Sequence, residues 1–309
     1  MMTRETSVIP PLPDTDTARA IAASPEQFEL WDDAESVAEE EQNPDDVTAI
    51  YLHVLAQPLA PELTLSLCER AAAFLSEWGE DEALILDVLE RALSIDANAT
   101  WAFRKLTMLL TIARRWDELL EKYDHVLEGT EDEARRIELY TEAAQVAKDL
   151  AGRADRAIVY LGSLAKLRPG DAQVVGSLER LLEREGRFRE LVDLQRSRLD
   201  GLDAAEARAL RAQIAACLLD KLDSPAEALE ASEGLLEDEA TAGATLELLE
   251  RAFAGESTPA EVRGRALAEL RRHYSALGST GEIIRVLVAA IRVADDAHAR
   301  GASTAGTAL

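Results

Sequence analysis

Apolar residues recur along most of the chain at spacings of three and four positions, which is the period of an amphipathic α-helix. Within residues 153–169 the charged side chains lie off a stripe formed by Ala157, Ile158, Leu161, Leu164, Ala165 and Leu167. Alanine, leucine, glutamate and arginine, the strong helix formers, dominate the composition. β-branched runs bounded by turn residues are absent from the sequence. The pattern therefore predicts an all-α protein.

The helical pattern repeats itself with a shift of 72 residues and no gap. Residues 89–119 and 161–191 keep their apolar positions in register, so that these pairs coincide: Leu89 with Leu161, Leu106 with Leu178, and Leu110 with Leu182. A period that holds over such a length is typical of repeat proteins, in which each unit buries its apolar face against its neighbours. We therefore expect a solenoid with a four-helix unit of ~72 residues.

Turn and capping residues set the expected helix limits, with capping boxes at Thr130–Glu133 and Asp203–Glu206 and a helix beginning at Ser24-Pro25. Two complete units are predicted, with helices near 61–77, 80–95, 99–113 and 116–128, and near 131–150, 153–167, 171–185 and 188–200. The third unit has helices near 203–222, 225–238 and 241–254, and its fourth helix is missing. A last helix is expected near 281–298.

These limits predict three parts of the chain. Residues 1–24 are rich in proline, threonine and aspartate and are expected to be disordered. Residues 25–300 are expected to form one helical repeat domain. Residues 301–309 are small and polar and are expected to form a flexible tail. The same pattern also fits a fragment of a longer repeat array.

The segment from Ala157 to Pro169, AIVYLGSLAKLRP, resembles the second helix of a tetratricopeptide repeat. Ala157, Leu161 and Pro169 match the family pattern, whereas Leu164 stands where the family prefers alanine. Ala97 replaces the corresponding proline in the preceding unit. The resemblance implies a right-handed α-solenoid of antiparallel helix hairpins. It also implies that the first and third helices of each unit line a concave face.

Net charge, hydropathy and cysteine content indicate which partners and which cellular compartment to expect. The chain has 59 acidic and 33 basic residues, a net charge of −26, so we expect no nucleic-acid binding, because phosphate contacts need a basic surface. Neither a signal peptide nor a run of about 18 apolar residues is present, so membrane insertion is not expected. Two cysteines within apolar helices, Cys68 and Cys217, suit a reducing compartment, and we predict a cytoplasmic protein.

A search of the sequence for catalytic or metal-binding residues identifies no convincing set. The histidines fall on four different helices, and neither cysteine has a second cysteine at metal-binding spacing; these residues are His53, His125, His273, His298, Cys68 and Cys217. We therefore predict that the protein is not an enzyme and binds no metal or cofactor. An enzymatic role would need a second chain or a further domain.

The leading hypothesis is a non-catalytic scaffold that binds another protein or peptide on its helical repeat surface. Arg136, Arg180 and Arg211 are the candidate partner-binding residues, because they lie on predicted inner helices. They also fit simple surface arginines paired with nearby glutamates such as Glu133 or Glu183, an arrangement that is common on protein surfaces. Two alternatives stay open: a structural, self-associating component of a larger complex, and a docking site for a basic partner on the acidic segment Asp32–Asp46.

Overall fold

The structure is a computed structural model that describes residues 10–79, 81–255 and 257–292. Its contacts divide the chain into two compact units, Met1–Leu167 (unit 1) and Arg168–Leu309 (unit 2). Where it is described, the chain contains helices, turns and loops and no strand, so the predicted all-α class is confirmed. In each unit, helices that follow one another in sequence pack side by side.

Unit 1 contains nine α-helices in its described residues, and the eighth continues into a π-helical turn at Val146–Leu150. The helices are α1 Asp16–Ala23, α2 Phe28–Glu41, α3 Asp45–Leu55, α4 Pro61–Glu77, α5 Glu82–Ile95, α6 Thr100–Ile112, α7 Trp116–Gly129, α8 Glu133–Gln145 and α9 Ala154–Leu167.

Unit 2 begins with α10 Ala172–Arg184, α11 Phe188–Arg198, α12 Ala204–Asp220, α13 Pro225–Ser232, α14 Glu239–Ala254 and α15 Ala260–Ala276. A further helix, α16, covers residues 280–292. None of the helices in the described part of the chain combines the length and the apolar content needed to cross a bilayer.

The helix limits carry the predicted period of 72 residues. α5 begins at Glu82 and α9 at Ala154, and each has 14 residues. α6 begins at Thr100 and α10 at Ala172, and each has 13 residues. Four pairs of consecutive helices make the most extensive helix–helix contacts, namely α4 with α5, α8 with α9, α12 with α13, and α14 with α15.

The N-terminal region differs from the prediction of disorder over residues 1–24. α1 begins after Thr15, whose hydroxyl accepts a hydrogen bond from the Ala18 N–H at 3.1 Å. Ala18 and Ile21 are fully buried. These two apolar residues lie one helical turn apart and pack this short helix against the rest of unit 1. Residues 1–9, like the predicted tail 301–309, lie outside the described residues.

The next helix also begins later than predicted. Pro25 precedes α2 instead of starting it, and α2 begins at Phe28. The Pro25 carbonyl accepts a hydrogen bond from the Trp31 indole N–H at 3.0 Å. Trp31 is fully buried and stacks on Tyr51 with ring centroids 4.2 Å apart. The burial of this indole thus fixes the turn before α2.

Two predicted capping boxes have different outcomes. At α12 the box is present, because Asp203 accepts hydrogen bonds from the N–H of Glu206, whose side chain accepts from the Asp203 N–H. At α8 the predicted box is wrong. Asp132 is the cap and accepts from the Arg135 N–H at 2.7 Å. Thr130 instead is buried, and its hydroxyl donates to the Val126 carbonyl at 2.7 Å.

The third predicted repeat, which begins with α12, ends as the sequence predicts, because α15 follows α14 directly. Its second helix is shorter than expected, since α13 stops at Ser232 rather than near residue 238. Glu233 leaves the helical conformation, and Gly234, with φ +76°, leads the chain into a 3-10 turn at Leu235–Glu237. The core of this end of unit 2 is formed by side chains from α13 to α16, including Leu249, Phe253, Leu270, Tyr274 and Val286.

Candidate functional site: a groove beside α7, α8 and α9

The three candidate arginines are divided between the two units. Arg136 is on α8 of unit 1, whereas Arg180 and Arg211 are on α10 and α12 of unit 2. Arg180 is exposed and donates to the Ser177 hydroxyl at 3.2 Å. Arg211 donates to the Glu233 carbonyl at 2.7 Å, at the end of α13. Arg211 therefore has a structural role within unit 2, and its partner is a backbone carbonyl rather than a glutamate carboxylate.

Arg136 lines a groove of about 640 Å³ in unit 1, which we call the α8 groove. Its walls come from the end of α7, the start of α8 and the first half of α9. The guanidinium lies 5.8 Å from the centre of the Tyr140 ring and contacts the Tyr140 hydroxyl at 3.4 Å. The Nε atom of Arg136 is buried without a hydrogen-bond partner. Because that atom is buried, the terminal nitrogens of this half-buried guanidinium are the donors that a ligand in the groove can approach.

The end of α7 forms one wall because it packs closely on the rest of unit 1. A side chain at Gly129 would bring its Cβ to 2.6 Å from that of Ala97, so this position requires a glycine. The buried hydrogen bond of Thr130 then closes the last turn of the helix. Asp132 caps α8 immediately afterwards, which places Arg136 in the second turn of α8.

The opposite wall is held by an interaction of Tyr160 and Arg156 on α9 with Asp124 on α7. The Tyr160 hydroxyl donates to Asp124 at 2.7 Å, and Arg156 contacts the same carboxylate. Arg156 also donates to the Tyr160 oxygen at 2.7 Å and lies over its ring. Burial, together with the nearby carboxylate, raises the pKa of the Tyr160 phenol, so the hydroxyl keeps its proton and remains a donor.

The floor and rim of the α8 groove differ in character. The Tyr140 and Tyr160 rings lie 6.4 Å apart, and Val159 beside them is 58% exposed. Glu128 and Glu131 are exposed at the rim. The arrangement offers an exposed valine beside the half-buried Tyr140 ring, one half-buried guanidinium, and an acidic border. Such a surface can bind a side chain or a short peptide segment; it holds no nucleophile beside a base.

The sequence contains a signal for this groove that the initial interpretation missed. Arg136 precedes Tyr140 by four residues, and Arg156 precedes Tyr160 by four residues. That spacing puts each guanidinium over its ring on one helix face. Arg136, Tyr140 and Tyr160 line the same groove, so a repeated Arg-x-x-x-Tyr pattern on neighbouring helices would have indicated it.

The acidic segment Asp32–Asp46 is partly engaged within unit 1. Glu35 accepts the Tyr51 hydroxyl and hydrogen bonds from Arg70, at 3.0 Å to its Nε. Arg70 also contacts Asp32. Two of the acids in this segment therefore join α2 to α3 and α4, and the docking alternative concerns the remaining carboxylates.

Histidines and cysteines are dispersed in the structure. Cys68 is buried on α4 of unit 1, Cys217 is half-buried on α12 of unit 2, and both are free thiols. No cluster of three or more potential metal ligands occurs among the residues that the structure describes. His298 lies outside them. The absence of metal, cofactor and catalytic activity stays a prediction.

No protein-family model matches the chain, and no curated protein matches it. A chain in the solved structure of Naa15/Naa10 bound to HypK-THB matches at 14% identity and a TM-score of 0.21. The match covers 90% of this chain but 58% of that one, so the protein spans less than two thirds of the matched chain's length.

Proposed function

We propose that the protein is a non-catalytic interaction scaffold and that the α8 groove binds a peptide segment of a partner protein. The observation that supports this is the half-buried Arg136 guanidinium beside the Tyr140 ring, together with the exposed apolar side chain of Val159. Arginine and tyrosine are the residues on which binding energy concentrates at protein interfaces. The resemblance to tetratricopeptide repeats agrees with such a role, since repeat proteins commonly present binding surfaces of this kind.

The chemistry of the groove defines the segment that it would accept. A partner carboxylate would pair with Arg136, and an apolar or aromatic side chain beside it would cover Val159 and Tyr140. The exposed acids Glu128 and Glu131 would disfavour a second carboxylate at the rim. The proposed ligand is therefore a short segment with one acidic residue next to an apolar one. A reducing, cytoplasmic setting is part of the proposal, in keeping with the free thiols.

The test is a selection of peptides from a phage-displayed random library on the wild-type protein. Val159→Asp should abolish binding of the selected peptides, because it places a charge in the apolar contact. Arg136→Gln should weaken binding by about tenfold or more, and added salt should weaken binding to the wild type. Met108→Asp is the matched control, because Met108 is 53% exposed on α6 outside the groove.

Selected peptides that lack an acidic residue, or that bind equally to Val159→Asp and Met108→Asp, would contradict the proposal. Circular dichroism of each variant serves as the folding control. A variant that changes several candidate arginines together should leave Arg211 intact. Changing Arg211 would also remove its hydrogen bond to the Glu233 carbonyl, and a loss of binding could then come from a change in the fold.

A structural role in a larger assembly is the second candidate function. The observation that favours it is the exposed apolar face of α16, where Ile284, Val288 and Ile291 are 56%, 43% and 60% exposed. Sedimentation of the purified protein at several concentrations tests self-association directly.

A further inference from the structure

α16 of unit 2 is apolar on two opposite faces. Its inner face includes Val286, which is 4% exposed and packs into the core with Ile283, Ala289 and Ala290 beside it. Its outer face carries Ile284, Leu287, Val288 and Ile291, which are between 36% and 60% exposed. These four residues are spaced as i, i+3, i+4 and i+7, so they form one continuous stripe. We call them the α16 stripe.

Scattered apolar side chains on a surface are ordinary, but a continuous stripe on one helix is not. α16 has the composition of a helix with a neighbour on each side. The outer face thus offers the contact that a following helix would make.

Charge around the stripe differs from that of the rest of the chain. Residues 260–292 contain six arginines against three acids, in a chain whose net charge is −26. Arg285 and Arg292 directly follow Ile284 and Ile291 and stand along one margin of the stripe. Arg285 is anchored by Glu250 and Glu282. Among the described residues, Arg292 is the arginine of this margin for which no ion pair is formed, so the stripe is an apolar surface with one basic residue at its edge.

The size of the stripe decides between possible occupants. Its four side chains expose on the order of 400 Å² together, about half of the roughly 800 Å² that each partner buries in a stable protein complex. A dimer resting on this surface alone would be weak, and the overall negative charge would oppose it. An anionic membrane is disfavoured by the same charge, and the inner face of α16 is already committed to the core.

We propose that the α16 stripe binds one amphipathic helix of a partner protein. That helix would carry apolar residues at i, i+3, i+4 and i+7, with a carboxylate beside them that faces Arg292. This docking surface is additional to the α8 groove and uses different residues, so each proposal can fail without the other.

The test uses two synthetic helical peptides and the full-length protein. Both peptides have leucine at i, i+3, i+4 and i+7; one has glutamate and the other lysine at the flanking positions. The glutamate peptide should bind more tightly although the protein is strongly acidic, and fluorescence anisotropy measures both affinities. Replacing Ile284 and Ile291 with aspartate should weaken binding of the glutamate peptide by at least about tenfold. Arg292→Glu should weaken binding of this peptide more than added salt weakens its binding to the wild type.

Ile112→Asp is the matched control, because Ile112 is 72% exposed on α6 of unit 1. It should leave binding of the glutamate peptide unchanged. If the double aspartate variant loses helicity, Ile284→Ser with Ile291→Ser replaces it, since hydroxyls at exposed positions perturb the fold less.

Tighter binding of the lysine peptide, or equal loss of binding in Ile112→Asp, would overturn the proposal. So would a dimer, detected by ultracentrifugation, that the Ile284 and Ile291 changes dissociate, because a second copy would then occupy the stripe. Sedimentation with vesicles of anionic phospholipid, dependent on the same two residues, would assign it to a membrane surface instead.

Discussion

The Tyr160 hydroxyl donates a hydrogen bond to the Asp124 carboxylate at 2.7 Å and so joins α9 to α7. Arg156 completes the contact from the same helix as Tyr160. Tyr160 is 2% exposed, so the phenol, the carboxylate and the guanidinium satisfy one another at the edge of the core. This interaction also shapes one wall of the α8 groove.

The same combination of side chains recurs at other helix contacts. Tyr51 donates to Glu35, which Arg70 also contacts, and these residues join α2, α3 and α4 of unit 1. In unit 2, Tyr274 of α15 donates to Glu250 of α14 at 3.1 Å, and Arg285 of α16 contacts the same carboxylate. A buried phenol that binds a carboxylate shared with an arginine is thus a common device for joining successive helices here.

Tyr160→Phe should destabilise the protein by about 1 kcal/mol, because it removes the hydrogen bond but keeps the ring. Asp124 retains its arginine, which limits the loss. Urea unfolding followed by circular dichroism measures the free energy of unfolding. Tyr140→Phe is the control, since the Tyr140 hydroxyl makes a longer contact, 3.4 Å from Arg136. An equal effect of both changes would show that the Asp124 contact contributes nothing.

The sequence predicted the helices and their repeat well, because amphipathic period and capping are local properties. Leu178 and Leu182 were placed in the core, and both are buried. The choice of cap before α8 failed, because Thr130 and Asp132 are both good caps and the burial of Thr130 decides between them.

The α8 groove was harder to predict than the helices around it. Asp124 and Arg156 are 32 residues apart in sequence, and their contact depends on how α7 and α9 are placed, which the helix period does not specify. Arg211 shows the same limit. The sequence allowed pairing with a glutamate carboxylate, but Arg211 binds the backbone carbonyl of Glu233 at the end of another helix. Side-chain reach across helices is set by packing rather than by the pattern along one helix.

Leu182→Asp should destabilise the fold by several kcal/mol, because Leu182 is 2% exposed on α10 and the carboxylate would be buried without a partner. We expect a large loss of helical signal near physiological temperature. Leu182→Met keeps the volume and should cost less than about 1.5 kcal/mol. Thermal unfolding of Leu182→Asp that matches the wild type would contradict the proposed register of the repeat.

Asp203→Ala should cost about 1 kcal/mol, because Asp203 accepts hydrogen bonds from the N–H groups of Ala205 and Glu206 at the start of α12. Asp203→Ser retains an accepting oxygen and should recover most of that loss. Chemical denaturation of the three proteins gives the comparison. If alanine and serine are equally destabilising, the cap is not the source of the effect.

Raising the pH above about 10 should destabilise the protein through its buried tyrosines. Burial, aided by nearby carboxylates, raises the pKa values of Tyr51, Tyr123 and Tyr160 in the folded state. Between the unfolded and folded pKa values the unfolded chain releases phenolic protons and the folded chain keeps them, so stability is complete below the unfolded pKa and falls as pH rises.

Absorbance of phenolate near 295 nm and circular dichroism should therefore change together in an alkaline titration. Each buried phenol contributes a slope of up to about 1.4 kcal/mol per pH unit in that window. Phenolate formation by all five tyrosines near pH 10 with an unchanged helical signal would mean that these hydroxyls are not held in the protonated form.

Alkylation should distinguish the two thiols. Cys68 is fully buried on α4, and burial raises its pKa to about 11. At pH 8 only about one thiol in a thousand would then be a thiolate, the form that reacts. Burial also raises the pKa of Cys217, but this residue is partly exposed and lines an open groove beside Phe188 and Lys221.

Iodoacetamide should therefore modify Cys217 first in the native protein, and both residues at similar rates in urea. Mass spectrometry of the modified peptides measures the order, and Cys217→Ala, which should remain almost unmodified until it is unfolded, serves as the control. Rapid native labelling of Cys68 would show that α4 opens far more often than its complete burial implies.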